Sequence, residues 1–431
     1  MKIVIVHYRY YHGSGPETYL FNVKRLFENN GHTVIPFSAS YPNNEPSPYS
    51  EYFYKPIVDK FHLNENKNSI SVTDQIKIVK NSFYNKDVFK KLTGLLNDER
   101  PDVVYVLQYG TKLSTSIFDA AYSLNIPVVL RLSDFNLVCA KNTFFNKGQI
   151  CTKCIDNRFN SVMDKCVHDS LTQSFVYFLI QKFNHIRHFQ NKIDAFIVPS
   201  VNTMNLIKKT DQFKHGNFYH VPTFISKEED QRFLNKKKSS LNAGIRLCYL
   251  GRVSEDKGLD ILINAMINCI KKGIKVELDI IGDFNSDFGF NLKKEVDRFG
   301  SKQIKFLGVI DSNEVNITLR NYHFSVVPSK WYDNMPNSLI ESSLEGVPVI
   351  VSKIGSLEEL IQNGYNGFTF EHLSSKSLEA TIISLVDLGE KEYYKVSENC
   401  IKWIREYCDK EKHLKRLLKI FKRVINEKTS K

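Results

Sequence analysis

At 431 residues the chain is too long for one ordinary core and points to two or three domains. Its 42% hydrophobic and 25% charged residues exclude a disordered or fibrous protein. The 59 Lys and Arg against 47 Asp and Glu leave +12, a mild, dispersed surplus that favours phosphate-bearing partners but lacks the concentrated basic module of a nucleic-acid binder. The start, Met1 to His7, has only four consecutive apolar residues after Lys2, and no later run approaches the ~18 residues of a membrane span. A cytoplasmic chain is expected.

Ile3 to Val6 reads as a buried strand, and Glu17 to Asn29 has helical spacing at Leu20, Val23, Leu26 and Phe27, ended by Gly31. Thr33 to Phe37 is a second strand, followed by a Pro/Tyr/Asn-rich loop from Ser40 to Pro56. Strands recur at Val103 to Leu107, Val128 to Leu132 and Phe196 to Val198, with a helical pattern at Ile117 to Leu124. The polar stretch 226–243 reads as a linker. Beyond it come strands at Leu247 to Leu250, Val276 to Ile281, Ile304 to Leu307, Phe324 to Val327 and Val347 to Val351, with helices at Leu259 to Ile270 and Ser338 to Leu344. The alternation implies α/β architecture with two doubly wound, mostly parallel sheets in residues 1–225 and 244–409, and a ligand crevice at the carboxyl ends of both.

The final helix, His413 to Ile425, has Leu414, Leu417, Leu418, Phe421, Val424 and Ile425 on one stripe, which predicts docking on the protein body, completing the first domain with residues 410–431. The basic amphipathic pattern from Phe175 to Ile193 predicts the same kind of docking. A membrane-surface helix is the other reading of both.

Gly251-Arg252 through Lys257-Gly258 sets two long cations where a strand gives way to a helix, an arrangement suited to a diphosphate; a merely solvated loop beside Glu255 and Asp256 is the alternative. From Pro328 to Glu341 a strand passes through a loop into a helix, so that Asp333 and Glu341 can face one pocket while backbone N–H groups near Asn337 and Ser338 point at an anion. Ser338 to Glu341 also fits a capping box, in which Glu341 only satisfies the helix start. Gly13, Ser14 and Gly15 form a small-residue turn that lets substrate approach the backbone.

Together these segments resemble the retaining nucleotide-sugar glycosyltransferases of family four, whose GT-B fold sets two Rossmann-like domains face to face. The carriers are Gly13 to Glu17, Gly251-Arg252, Lys257-Gly258, Ile281-Gly282-Asp283, Trp331 to Glu341, Glu345 to Ile350 and Gly364 to Gly367. The resemblance implies that Arg252 and Lys257 hold the donor diphosphate, that Glu341 binds ribose and that Asp333 contacts the donor sugar, with Gly251, Asp283, Asn334, Asn337, Ser338 and Leu339 completing the donor site. Asp333 stands where that family usually has Glu, and Ser133-Asp134 where it often has His-Asp, leaving Asp134 to orient the acceptor. The implied partners are a nucleotide sugar and a glycan or lipid-linked glycan acceptor in surface polysaccharide assembly, with the basic surplus holding the protein at the inner membrane face. No cofactor is implied for the reaction. A nucleotide-sugar epimerase on the same fold and a noncatalytic nucleotide-sugar or glycan-binding module are the competing readings.

Cys139, Cys151, Cys154 and Cys166, spaced C-x11-C-x2-C-x11-C within an insertion at 134–169, are enough for a tetrahedral structural zinc, with His168 an alternative ligand; reduced, unliganded thiols are the competing reading. Cys248, Cys269, Cys400 and Cys408 sit in apolar or helical contexts and read as small core residues.

Overall fold

The computed structural model describes residues 1–13, 15–57, 71–226, 241–311 and 313–430. Strands β1 (Lys2–His7), β2 (Thr33–Phe37), β3 (Val103–Gln108) and β4 (Val128–Arg131) precede a small hairpin of β5 (Phe145–Asn146) and β6 (Gln149–Ile150), after which β7 (Ala195–Val198) and β8 (Phe218–His220) finish the first half. The second half holds β9 (Ile245–Leu250), β10 (Val276–Ile281), β11 (Ile304–Gly308), β12 (Phe324–Val327), β13 (Val349–Ser352) and β14 (Gly367–Phe370). Two six-stranded sheets result, ordered β2-β1-β3-β4-β7-β8 and β11-β10-β9-β12-β13-β14. Every pairing in both is parallel.

Parallel strands covered by helices on both faces are buried throughout, which is why Ile3-Val-Ile-Val6 and Val103-Val-Tyr-Val-Leu107 are continuous apolar runs and not alternating ones. The two strands the sequence pattern missed, β8 and β14, are three and four residues long and carry no such run. Many of the intervening helices start on a side chain that caps them: Ser170 Oγ accepts the Gln173 N–H, Ser200 Oγ the Thr203 N–H and Ser286 Oγ the Gly289 N–H. The Ser40 to Pro56 stretch contains a single turn of 3₁₀ helix, Ser50–Tyr52, and a bridge between Ala39 and Tyr54.

The last helix, Lys410–Thr429, crosses back onto the first sheet. Leu414, Leu417, Ile420, Phe421 and Val424 share a core with Val23, Phe27 and Tyr105, and the Phe27 and Phe421 rings lie 5.8 Å apart. His413 fixes the start of the helix by donating from Nδ1 to the Pro222 carbonyl at 2.7 Å and accepting from Tyr19 Oη at 3.0 Å.

The two halves meet through the loop after β12. Trp331 packs in the first domain's core with Phe135, Phe144 and Cys139, although it is encoded in the second domain. Asn334 Nδ2 donates to the Leu132 carbonyl at 2.9 Å, and Asn334 Oδ1 accepts from Thr203 Oγ1 at 2.9 Å. From the other side Ile150 of the hairpin packs on the second domain's cluster around Val327 and Met335. The 134–169 insertion is thus a buttress for the loop that carries Trp331 to Asn334.

Candidate active site

In an open parallel sheet the crevice for a ligand lies where the strand order reverses, because there the two adjacent connections leave in opposite directions. In the second sheet that point falls between β9 and β12. The loop after β9 carries Arg252 and Lys257, and the loop after β12 carries Ser329 and Asp333. Gly258 permits their approach: its φ is +71°, and a Cβ there would stand 1.9 Å from the Pro328 carbonyl oxygen. Gly282, at the end of β10, is held as tightly, since a Cβ would stand 1.9 Å from the Gly251 carbonyl oxygen.

With the two loops in contact, Lys257 Nζ forms an ion pair with Asp333 Oδ2 across 76 residues of sequence. Ser329 Oγ donates to the same oxygen at 3.1 Å, and the Lys257 ammonium lies 5.0 Å from the centre of the Trp331 ring. Ser356 Oγ donates to the Asp333 backbone carbonyl, so the carboxylate is fixed from both ends. The pair is largely removed from solvent, where a charge is strongly held only while it has a partner. Arg252 differs: its side chain is 70% exposed at the rim, 3.7 Å from Asp256.

The helix Asn337–Leu344 follows Pro336, and no side chain caps it. Ser338 is therefore inside the first turn and not the cap, so the capping box anticipated for Ser338 and Glu341 does not form. The uncapped start faces the first domain, where a Cβ on Gly15 would come within 3.2 Å of Asn337 Nδ2. Glu341 is half-buried on this helix. Leu339 is fully buried in the second domain's core, and its N–H is taken by the Pro336 carbonyl. Asn334 turns to the first domain. Gly251 closes β9, and Asp283 sits exposed beyond β10, accepting the Asn285 N–H at 3.0 Å.

The first sheet reverses between β1 and β3. His7 ends β1 and Gln108 ends β3, and the next strand runs into Asp134. His7 is buried, its Nδ1 accepts the Arg9 N–H at 3.0 Å, and burial lowers its pKa to about 4, so the imidazole is neutral at pH 7. Arg9 Nη1 pairs with the buried Glu17 carboxylate at 2.9 Å. Asp134 accepts from Asn136 N–H at 2.9 Å and from Gln108 Nε2 at 3.4 Å, and burial raises its carboxyl pKa. Around these groups lie aromatic rings: the Arg9 guanidinium is 5.1 Å and the Lys112 ammonium 6.0 Å from the Tyr8 ring, and Lys112 Nζ donates to Tyr41 Oη at 3.1 Å. Burial, and then the charge of Arg9, lower the Lys112 pKa to about 8. Sequence reasoning marked Gly13, Gly15 and Asp134 here but not His7, Arg9, Gln108 or Lys112; the available signal was a polar residue closing each apolar strand run. Ser14 lies outside the described residues.

Cys139, Cys151, Cys154 and Cys166 are all reduced, the first and third buried. Burial, and then the charge of the neighbouring thiols, push Cys154 up to about 12, so the cluster is close enough for its members to oppose one another's ionisation. Cys139 Sγ accepts the Phe144 N–H at 3.4 Å. Among the described residues no three His, Cys, Asp or Glu side chains are arranged to hold a metal ion. His168 is within 2.6 Å of Gln173 Oε1. Cys248, Cys269, Cys400 and Cys408 are buried in the second half.

Residues 230–403 match the family described as Glycosyl transferases group 1. The match covers the second domain, the half in which Lys257 meets Asp333. An uncharacterized glycosyltransferase of Methanocaldococcus jannaschii is 24% identical over 304 residues, 68% of this chain and 76% of its own. A glycogen synthase of Thermus thermophilus is 24% identical over 189 residues, 42% of this chain and 42% of its own, so the likeness reaches less than half of that enzyme. Among solved structures, HepE of Anabaena in complex with UDP and glucose superposes with a TM-score of 0.64 at 15% identity, over 97% of this chain and 98% of that one. The two sheets and their facing edges make the GT-B fold. No helix among the described residues is long and apolar enough to cross a membrane.

Proposed function

We propose that the protein is a glycosyltransferase that moves a sugar from a nucleotide diphosphate to an acceptor with retention of anomeric configuration, the acceptor being a lipid-linked glycan or another precursor of surface polysaccharide. The observation that carries the reading is the meeting of Lys257, Ser329 and Asp333 at the switch point of the second sheet, beside an uncapped helix start and below the exposed Arg252. The relative bound to UDP and glucose makes a UDP-sugar the first donor to try.

In this reading Lys257 and Arg252 take the donor diphosphate together with the N–H groups at Asn337 and Ser338, and Glu341 takes the ribose hydroxyls. The diphosphate replaces Asp333 as the partner of Lys257. Asp333 is then released towards the sugar hydroxyls, while Lys257 offsets the negative charge that collects on the departing diphosphate. The acceptor enters over His7, Gln108 and Asp134, where the neutral imidazole and the amide can hold a hydroxyl without ionising it. Closure of the two halves about the Trp331 to Asn334 loop excludes water that would otherwise hydrolyse the donor. No cofactor enters these steps. A structural zinc on the four clustered thiols is a separate proposal that requires them to draw together; one zinc atom per chain by elemental analysis supports it, and none retires it.

The test is a thermal-shift screen against nucleotide sugars, followed by NMR of the first product formed with the donor that stabilises the protein. Retained configuration is the expected result, and an inverted product overturns the retaining reading. A donor that binds but is neither transferred nor slowly hydrolysed would point to the binding-module alternative.

A further inference from the structure

The helix Leu171–Ile186 departs from the docked stripe its sequence predicts. It buries Ser174, Ile180 and Asn184, and turns Leu171, Phe175, Leu179 and Ile186 outward at 54, 43, 36 and 63% exposure. These four fall at intervals of four, four and seven residues, so they form one stripe along the helix. The short helix Asn160–Met163 packs beside it and extends the stripe with Phe159 and Met163, at 40 and 68% exposure; the Phe159 and Phe178 rings meet edge-on at 5.3 Å. A folded protein rarely leaves so many large apolar side chains together in water unless something covers them.

The charge around the stripe says what that something is. Residues 141–192 contain eight Lys and Arg and three Asp; with Asp119, which pairs with both Arg187 and Lys192, the excess is four. The helix itself has no carboxylate and places the exposed Lys182 on its apolar stripe. One of the three Asp residues, Asp164, is tied to Lys153 at 2.9 Å. A second copy of the chain would bring the same positive excess against this one, whereas an anionic surface is complementary to it. The opposite side of the helix supports the cleft: Tyr177 Oη donates to the Asn136 carbonyl at 3.3 Å, two residues beyond Asp134.

We infer that the face formed by the helices Asn160–Met163 and Leu171–Ile186 docks on an anionic lipid bilayer, with the apolar stripe entering the headgroup boundary and the lysines meeting lipid phosphates. It deepens the proposed reading, resting on it for the acceptor being lipid-linked, and sets the mouth of the first-domain crevice at the membrane where such an acceptor is held.

The experiment is co-sedimentation of the full chain with vesicles of phosphatidylcholine alone or with phosphatidylglycerol added, alongside donor binding measured without lipid. Wild type is expected to pellet with the phosphatidylglycerol vesicles, less so as salt rises. The double variant Leu171→Ser/Phe175→Ser, both positions exposed, is expected to bind about tenfold more weakly. Lys182→Glu should lose about fivefold or more, since each basic residue near such a surface contributes about 1 kcal/mol. Donor binding should be unchanged in all three proteins. Wild type left in the supernatant with both vesicle types, or variants that pellet as well as wild type, would overturn the inference, as would a wild-type dimer in solution that Phe175→Ser dissociates. Loss of donor binding in wild type would instead count against the proposed function and leave the vesicle result standing.

Discussion

In the second domain the groups gathered at the strand-order reversal are Lys257, Ser329 and Asp333, a charged constellation held by loops after β9 and β12 that touch through Gly258. In the first domain the reversal between β1 and β3 gathers a neutral His7, an amide from Gln108, an Arg9–Glu17 pair already satisfied within the domain, and the rings of Tyr8 and Tyr41. In the proposed function the difference follows from what each edge has to hold. A diphosphate has the same charge whatever sugar it bears, so its cradle is built from fixed cations and amides. A carbohydrate acceptor presents hydroxyls and ring faces, for which neutral hydrogen-bonding groups and aromatic surfaces serve better.

The sharpest way to break that comparison is Lys257→Ala. If Lys257 stabilises the charge developing on the leaving diphosphate, its removal should lower kcat by roughly two to three decades, about 3 to 4 kcal/mol, while raising KM for the donor less. Asp333→Asn should reduce turnover as well, but leave Lys257 free to hold the diphosphate, so donor affinity should survive. Steady-state kinetics that find both variants near wild type would mean that the ion pair only closes two loops together.

This asymmetry also explains what the sequence disclosed. At the second domain's edge the charged residues come in two short segments, Gly251 to Gly258 and Trp331 to Glu341, whose spacings left a solvated loop and a capping box open and which stand out together through the family resemblance. The strands were legible because burial on both faces forces runs such as Val103 to Leu107. The first domain's edge was legible only at Gly13, Gly15 and Asp134, because His7 and Gln108 are single polar residues ending apolar strands and become neighbours only when β1 pairs with β3. Trp331 and Asn334 have a part that the motif did not disclose: Trp331 lies in the other domain's core and Asn334 bonds to it, contacts that form only when the two domains meet. The basic amphipathic period of Leu171–Ile186 predicts a docked helix because a period shows that a stripe exists and not what covers it.

The cross-domain role of Asn334 gives the next effect in size. Asn334→Ala removes a buried acceptor and a buried donor at once, leaving Thr203 Oγ1 and the Leu132 carbonyl without them, at a cost of about 2 to 3 kcal/mol. Because both lost bonds cross the domain boundary, calorimetry should show unfolding that is broader than in wild type or split into two transitions. A sharp transition at an unchanged temperature would show that the domains are coupled elsewhere, through the Trp331 packing or the last helix.

Acid should act first on the first domain. Burial lowers His413 to about 3 and His7 to about 4, from 6.5 in an unfolded chain, and both side chains belong to that domain's interior. Below pH 6.5 the unfolded state takes up protons that the native state refuses, so stability falls with falling pH until the native groups titrate. At pH 5 the loss is about 2 kcal/mol for each histidine. His413→Gln keeps a side chain able to bond to the Pro222 carbonyl or Tyr19 and removes the titration. Its urea midpoint should lie below wild type at pH 7 and lose less than wild type between pH 7 and pH 5. Equal slopes in the two proteins would place the acid sensitivity elsewhere.

Arg252 should give the smallest effect on the folded protein and the clearest contrast with Lys257. Its guanidinium is 70% exposed and 3.7 Å from Asp256, a geometry worth little to stability. Arg252→Lys should therefore melt within about 0.5 kcal/mol of wild type, as surface substitutions do. The planar fork can grip two phosphate oxygens and an ammonium cannot, so donor affinity should fall about tenfold, or about 1.4 kcal/mol, even though the charge is conserved. Lys257 already has an anionic partner before the donor arrives, and among the described residues Arg252 pairs with the distant Asp256, so the donor gains most of what Arg252 offers as new contact. Calorimetric titration of the donor into Arg252→Lys and Arg252→Ala separates the two contributions: the step to Lys reads the fork, and the further step to Ala reads the charge. If both variants bind the donor as wild type does, Arg252 is a solvated rim residue, and the diphosphate is held by Lys257 and the helix start alone.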